Sequence, residues 1–230
     1  MKARDVMGTY VITVGPDLDV GTVAKILVRN GISAVPVVSL EEGQLLGIVS
    51  EGDLMRRAEA ETERRPSWWL DFLSSPQERA YDFVKANARK VKDVMTRNVV
   101  TATPETSLRE IANLLEKHNI KRVPIVENGR LLGIVSRANL VQALASRGEA
   151  ATGSIQPNDA KLREAVVKSL RNQPGNVSLI NVFAEAGVIS LWGLVPTEEE
   201  RSAIRVAAEL TPGVQAVNDN LRVNKVARVI

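Results

Sequence analysis

Two periods of apolar residues organise the chain. Val20, Val23, Ala24, Ile26 and Leu27 fall at the spacing of one helix face, and Leu108, Ile111, Ala112, Leu114 and Leu115 repeat that spacing. The polar opening Pro16-Asp-Leu-Asp19 starts the first of these helices, and Asn30-Gly31 stops it. Two short β-rich runs follow, Ala34–Val38 and Leu45–Val49, with a turn around Glu42-Gly43. The corresponding later runs turn at Asn128-Gly129, a pair that tolerates the positive φ of a tight hairpin. Ser50 and Ser136 then cap closing helices, so each stretch reads β-α-β-β-α. The strands are nearly continuous apolar runs, which predicts sheets covered on both faces.

The similarity of these stretches extends to the residues themselves. Asp5-Val6-Met7 recurs as Asp93-Val94-Met95, and Val11-Ile-Thr13-Val-Gly-Pro16 recurs as Val99-Val-Thr101-Ala-Thr-Pro104. Gly31-Ile-Ser-Ala-Val-Pro36 matches Asn119-Ile-Lys-Arg-Val-Pro124, and Leu45-Leu-Gly-Ile-Val-Ser50 matches Leu131-Leu-Gly-Ile-Val-Ser136. Four blocks in the same order define two copies of one unit of roughly 55 residues.

Other patterns separate and follow the copies. Residues 57–90 open with mixed charge and carry Trp68-Trp69, a pair that either packs on the protein's own surface or anchors a partner. A helix is expected over 76–89. Residues 148–157 are small and polar and read as a linker. Beyond them Asn158-Asp159 caps a helix to about Asn172. Val177–Ala184 and Val188–Val195 form a hairpin through Ala186-Gly187. Thr197-Glu-Glu-Glu200 opens a helix through Leu210, and Val214–Val223 is a last strand.

Composition removes whole classes of chemistry. The 230 residues include no cysteine, which excludes disulfides, thiolate metal sites and cysteine nucleophiles. One histidine, His118, excludes a two-histidine metal site within the chain. It sits at a helix end, where it either stabilises the C-terminus as a cation or meets a phosphate. No phosphate-binding loop, dinucleotide fingerprint or nucleophile elbow is present, so no enzymatic activity is expected. A net charge of +3 and a pI near 9.3 do not by themselves make a nucleic-acid binder. No apolar run is long enough to span a membrane and no secretory leader is legible, which leaves the cytoplasm as the expected location.

The repeated blocks resemble the cystathionine β-synthase (CBS) domain, which occurs as tandem pairs. Thr13 and Thr101, the Gly-x-x-x-x-Pro of residues 31–36 and the Gly-Ile-Val-Ser-x-x-Asp of residues 47–53 carry the resemblance. It implies CBS units over 1–56 and 91–147, packed sheet to sheet with pseudo-two-fold symmetry in an α+β, mixed α/β fold. It further implies homodimers and clefts for an adenosine compound: AMP, ADP, ATP, NAD or S-adenosylmethionine. Residues 158–226, with Gly187-Val-Ile-Ser-Leu-Trp-Gly193, Thr197-Glu-Glu-Glu-Arg201 and Pro212-Gly213-Val214, resemble a BON domain of order αββαβ. That resemblance implies a module for a partner protein or a phospholipid surface.

The candidate nucleotide residues are Thr13, Ile32, Ser33, Ala34, Val35, Pro36, Ser50 and Asp53 in the first copy. In the second they are Thr101, Lys121, Arg122, Val123, Pro124, Ser136 and Asn139. Ser50-x-x-Asp53 is a capping box by spacing; by resemblance its carboxylate accepts both hydroxyls of a ribose, and the two roles are compatible. Asn139 brings one acceptor oxygen and no charge. Lys121-Arg122 supplies the positive charge that Ser33-Ala34 lacks. The expectation is one principal site on the first copy, its phosphate reaching toward Lys121 or Arg122. Ile32, Ala34 and Val35 either line an adenine slot or are core residues. The whole reads as a nucleotide sensor that signals through the BON domain, or as a ligand-free scaffold acting through it.

Overall fold

The computed structural model describes residues 1–55, 88–146, 157–171 and 179–223. Trp68-Trp69, most of the 57–90 segment and residues 148–156 of the expected linker lie outside them. Of the helix expected over 76–89, Ala88 and Arg89 are described and are not helical. The chain divides into two compact units that do not follow the repeats in sequence. One comprises Ile12–Val99 and Asn128–Leu131; the other comprises Met1–Val11, Val100–Glu127 and Leu132–Ile230.

The first of these units carries helix α2 (Val20–Asn30), strands β1 (Ala34–Val38) and β2 (Leu45–Ser50), and the short helices α3 (Glu51–Leu54) and α4 (Val91–Val94). Asp19 caps α2 by accepting from the Thr22 N–H at 3.2 Å, and Gly31 ends it at φ 60, a left-handed conformation that costs glycine little. β1 and β2 pair antiparallel with Ala34 opposite Ser50 and Pro36 opposite Ile48. The β-segment entering the unit is reduced to one parallel bridge, Val14 to Val37, since Pro16 lacks the N–H a longer ladder needs. Val20, Val23, Leu27, Val35, Val37 and Val49 form the core together with Val91, Val94 and Met95 from the start of the second repeat.

The other unit begins with helix α1 (Ala3–Val6) and continues with α5 (Leu108–Lys117), β3 (Arg122–Glu127), β4 (Arg130–Ser136) and α6 (Arg137–Ser146). Its core holds Ile111, Leu115, Val123, Ile125 and Val135, closed by Ala3 and Val6 from the start of the first repeat. The two repeats have therefore exchanged their leading Asp-Val-Met segments. Ser107 and Glu110 cap α5 reciprocally, and the entering segment is again one bridge, Ala102 to Ile125.

The same unit contains α7 (Pro157–Arg171), β5 (Ile180–Glu185), β6 (Val188–Val195), α8 (Glu198–Glu209) and β7 (Ala216–Val223). The order is the expected αββαβ. α7 begins at Pro157, whose fixed φ suits a first helical position, so Asn158 and Asp159 lie inside the first turn rather than capping it. β5 and β6 form an antiparallel hairpin through Ala186 and Gly187, both at positive φ. β6 and β7 are parallel, joined over α8. Val182, Ala184, Ile189 and Leu191 pack under α7 and α8 against Val166, Leu170, Ile204 and Ala208.

The glycine repeated in Leu-Leu-Gly-Ile-Val-Ser has a steric cause. A Cβ on Gly47 would lie 2.8 Å from the Thr96 carbonyl oxygen and 2.8 Å from the Met95 sulfur. A Cβ on Gly133 would lie 2.8 Å from the Gly8 carbonyl oxygen and 2.9 Å from the Met7 sulfur. Backbone pairs lock both approaches: Ile48 exchanges bonds with Thr96 at 3.0 and 2.9 Å, and Ile134 with Gly8 at 3.0 and 2.9 Å. Gly47→Ala and Gly133→Ala should each lower the unfolding free energy by about 1–3 kcal/mol, measured by denaturant titration, because backbone cannot yield as a side chain can. The Ser107 hydroxyl and N–H hold the Glu110 carboxyl below its usual range. Its contribution should therefore be complete above the ordinary glutamate value and fade as pH falls through the lowered one; Glu110→Gln should flatten that part of the stability profile.

Candidate functional site

One end of the β1–β2 hairpin collects half of the first-copy candidates. Ser33 precedes β1 and its carbonyl accepts from the Glu51 N–H at 3.0 Å, tying the start of β1 to the start of α3. Ala34 is the register partner of Ser50. Asp53 turns back from α3, and one of its oxygens accepts from the Ser50 N–H at 2.9 Å and from the Ser50 hydroxyl at 2.8 Å. Ser33, Ala34, Ser50 and Asp53 therefore share one corner. The Val14 N–H donates to the Pro36 carbonyl at 3.1 Å, which sets Thr13 alongside β1 with its side chain exposed.

The two faces of β1 differ. Val35 and Val37 are fully buried in the core, while Ala34 and Pro36 point to the opposite face beside Ser50 and Ile48. Val35 is a core residue, and Ile32 packs half-buried against the same core. Ala34, 6% exposed, and Pro36 are buried too, on the face opposite that core.

The second copy repeats this corner with other chemistry. The Lys121 carbonyl accepts from the Arg137 N–H at 3.2 Å. The Asn139 side-chain oxygen accepts from the Ser136 N–H at 2.8 Å and from its hydroxyl at 2.6 Å; the Asn139 N–H donates back to Ser136 Oγ at 3.3 Å. Asn139 is 5% exposed and its single oxygen is committed to the cap. Asp53 is half-buried and has a second carboxylate oxygen. Lys121 and Thr101 are exposed, Arg122 is half-buried, and Val123 and Pro124 are buried, Val123 within the core. His118 stands at the C-cap of α5, its N–H donating to the Leu114 carbonyl at 3.2 Å, the helix-end position expected of it. Among the described residues no cluster of three or more histidine or carboxylate side chains could hold a metal ion.

Comparison with known proteins bears on this paired corner. The CBS domain model matches residues 3–60 and 91–146, and the BON domain model matches 158–225. An uncharacterized protein of Methanocaldococcus jannaschii is 36% identical over 156 residues, 63% of this chain and 91% of that protein. The chain belongs to the CBS-domain family. It is a tandem CBS pair followed by a BON domain. A CBS domain-containing protein of Bacillus subtilis, YhcV, is 27% identical over 139 residues, 60% of this chain and 82% of that protein. The crystal structure of CBSX2 in complex with AMP superposes with a TM-score of 0.54 at 27% identity, covering 63% of this chain and 96% of that one. The CBS pair thus resembles a module that, in that protein, binds AMP.

Sequence reasoning passed over the residues that seat the BON domain within its unit. Arg163 Nε donates to the Val182 carbonyl at 2.7 Å, and its two terminal nitrogens donate to the carbonyls of Arg4 at 3.0 Å and Met7 at 2.5 Å. Phe183 is 4% exposed within the core of the second copy, and the Trp192 indole N–H donates to the Ser146 hydroxyl at 2.8 Å. One signal was available. Phe183 puts a large apolar side chain on the parity opposite Ile180, Val182 and Ala184, which an open-faced sheet does not need.

The cap geometry predicts different costs at the paired positions. Asn139→Ala leaves the part-buried Ser136 N–H unpaired and should cost about 1–3 kcal/mol in denaturant unfolding. Asp53→Asn keeps an acceptor at the cap and should stay within about 0.5 kcal/mol of the parent.

Proposed function

We propose that the CBS pair is a regulatory module for an adenosine compound of the AMP, ADP, ATP or NAD type, with its principal site on the first copy. Asp53 accepts the ribose hydroxyls, Ser50, Ser33 and Thr13 supply polar contacts, and Ala34 and Pro36 offer the apolar face for adenine. Lys121 and Arg122 are the cations proposed to meet phosphate. One observation carries this reading: a half-buried carboxylate stands in the first copy where the second has a buried amide whose only oxygen is used by its own cap. Two adjacent hydroxyls suit a carboxylate with a second oxygen and do not suit that amide. The AMP held by CBSX2 supports the ligand class.

In this reading the pair acts as a homodimer. Val141 and Leu144, one turn apart on α6, are 66% and 73% exposed, a face that a second copy would cover. The BON domain passes the state to a partner protein or a phospholipid surface. In this reading the protein works in the cytoplasm. No helix among the described residues is long and apolar enough to cross a membrane.

A second reading has its own support. Both capping boxes are satisfied without a ligand, so the pair can serve as a ligand-free dimeric scaffold that works through the BON domain. Calorimetric titration with AMP, ADP, ATP, NAD and S-adenosylmethionine separates the two. The sensor predicts binding by one of them that weakens on the order of 10- to 1000-fold in Asp53→Ala and far less in Asn139→Ala. Equal losses at both positions overturn the one-site assignment, and no heat from folded protein favours the scaffold.

A further inference from the structure

The BON sheet has two buried faces, and only one of them serves the BON domain's own core. Val182, Ala184, Ile189 and Leu191 point to α7 and α8. The opposite parity carries Asn181 paired with Trp192 and Phe183 paired with Ser190. These residues meet the second CBS copy. Phe183 and Trp192 join its hydrophobic cluster with Ala3, Val6 and Ala143, and the Asn181 amide donates to the Gln142 side chain at 3.0 Å. Trp192 bonds to Ser146, one turn further along α6.

Residues 1–11 lie between these two bodies. Their α1 side chains fill the core of the second copy, Gly8 pairs with Ile134, and Tyr10 packs against the BON core with the Arg171 guanidinium 5.0 Å from its ring centre. Arg163 joins the segment to the sheet through three carbonyls. Burial pulls its pKa down to about 10, so it remains a cation near neutral pH, and the nearby Asp5 carboxylate favours that charge. Three backbone carbonyls satisfy the buried guanidinium, and their fixed directions set how the segment and the sheet meet. Domains of one chain part and reseat by default unless the interface between them is large and hydrophobic.

We propose that the outer face of the BON sheet is a latch surface whose occupant is this chain's own residues 1–11 and helix α6, with Arg163 as its positioning residue. A closed latch holds α1 in the second CBS core and steadies α6, which carries the Ser136–Asn139 cap at one end and the BON contacts at the other. An open latch exposes Phe183 and Trp192 and frees the leading segment. The BON domain is then a structural member of the CBS module. An external partner has to use another face or displace the chain's own segment.

Hydrogen exchange by mass spectrometry on the full chain, without any nucleotide, tests this. Arg163→Met should accelerate exchange in residues 3–8 and in β5 by about tenfold or more, while α2 and β1 keep their rates. Trp192→Phe, which removes one N–H and keeps most of the packing, should accelerate the same peptides to a smaller degree. Unchanged exchange at 3–8 in a folded Arg163→Met protein overturns the latch. Equal acceleration in α2 and β1 also overturns it, because Arg163 then supports the fold at large.

Discussion

Two backbone crossings, each made over a glycine, hold the repeat architecture together. Ile48 with Thr96, and Ile134 with Gly8, exchange N–H and carbonyl bonds where the missing side chains of Gly47 and Gly133 let another segment lie directly on the strand. The methionines at 7 and 95 occupy the same approach, and the valines before them enter the cores. Each core is therefore completed by the leading segment of the other repeat, and neither repeat contains a whole core in its own stretch of sequence.

The exchange gives residues 1–11 an unusual set of neighbours. They complete the second CBS core, and they carry the carbonyls that Arg163 grips from the BON helix. The same short segment then runs into Thr13. The BON domain, expected beyond a linker, shares with the second copy a hydrophobic cluster containing Phe183 and Trp192. Within that unit the route from cap to sheet is one ten-residue helix, α6.

The corners of the two copies show how one scaffold supports unequal chemistry. Asp53 and Asn139 perform the same capping task with the same geometry. The carboxylate does so with one oxygen. The amide does so with the only oxygen it has, and it is buried. A carboxylate brings two acceptor oxygens to this position and an amide brings one, and the proposed asymmetric site rests on that difference.

Much of this was legible in the sequence because it is local. Helix faces, the Asn128-Gly129 turn, the Ser-x-x-Asp box and the αββαβ order depend on residues a few positions apart, and the repeat itself is a property of the string. The requirement for glycine at 47 and 133 was visible as repetition, while its cause lay in segments more than forty residues distant. Side-chain period alone placed Val35 as either core or slot; burial made it core, because the face of β1 that turns inward is set by what packs beneath it. The entering strands shrank to single bridges because Pro16 and Pro104 limit a ladder whose partner strand the sequence could name but not align. Which repeat receives which leading segment, and that a buried arginine seats the BON domain on residues 1–11, are decided only by tertiary packing. Both depend on long-range burial and on backbone carbonyls, and a carbonyl has no letter in the sequence.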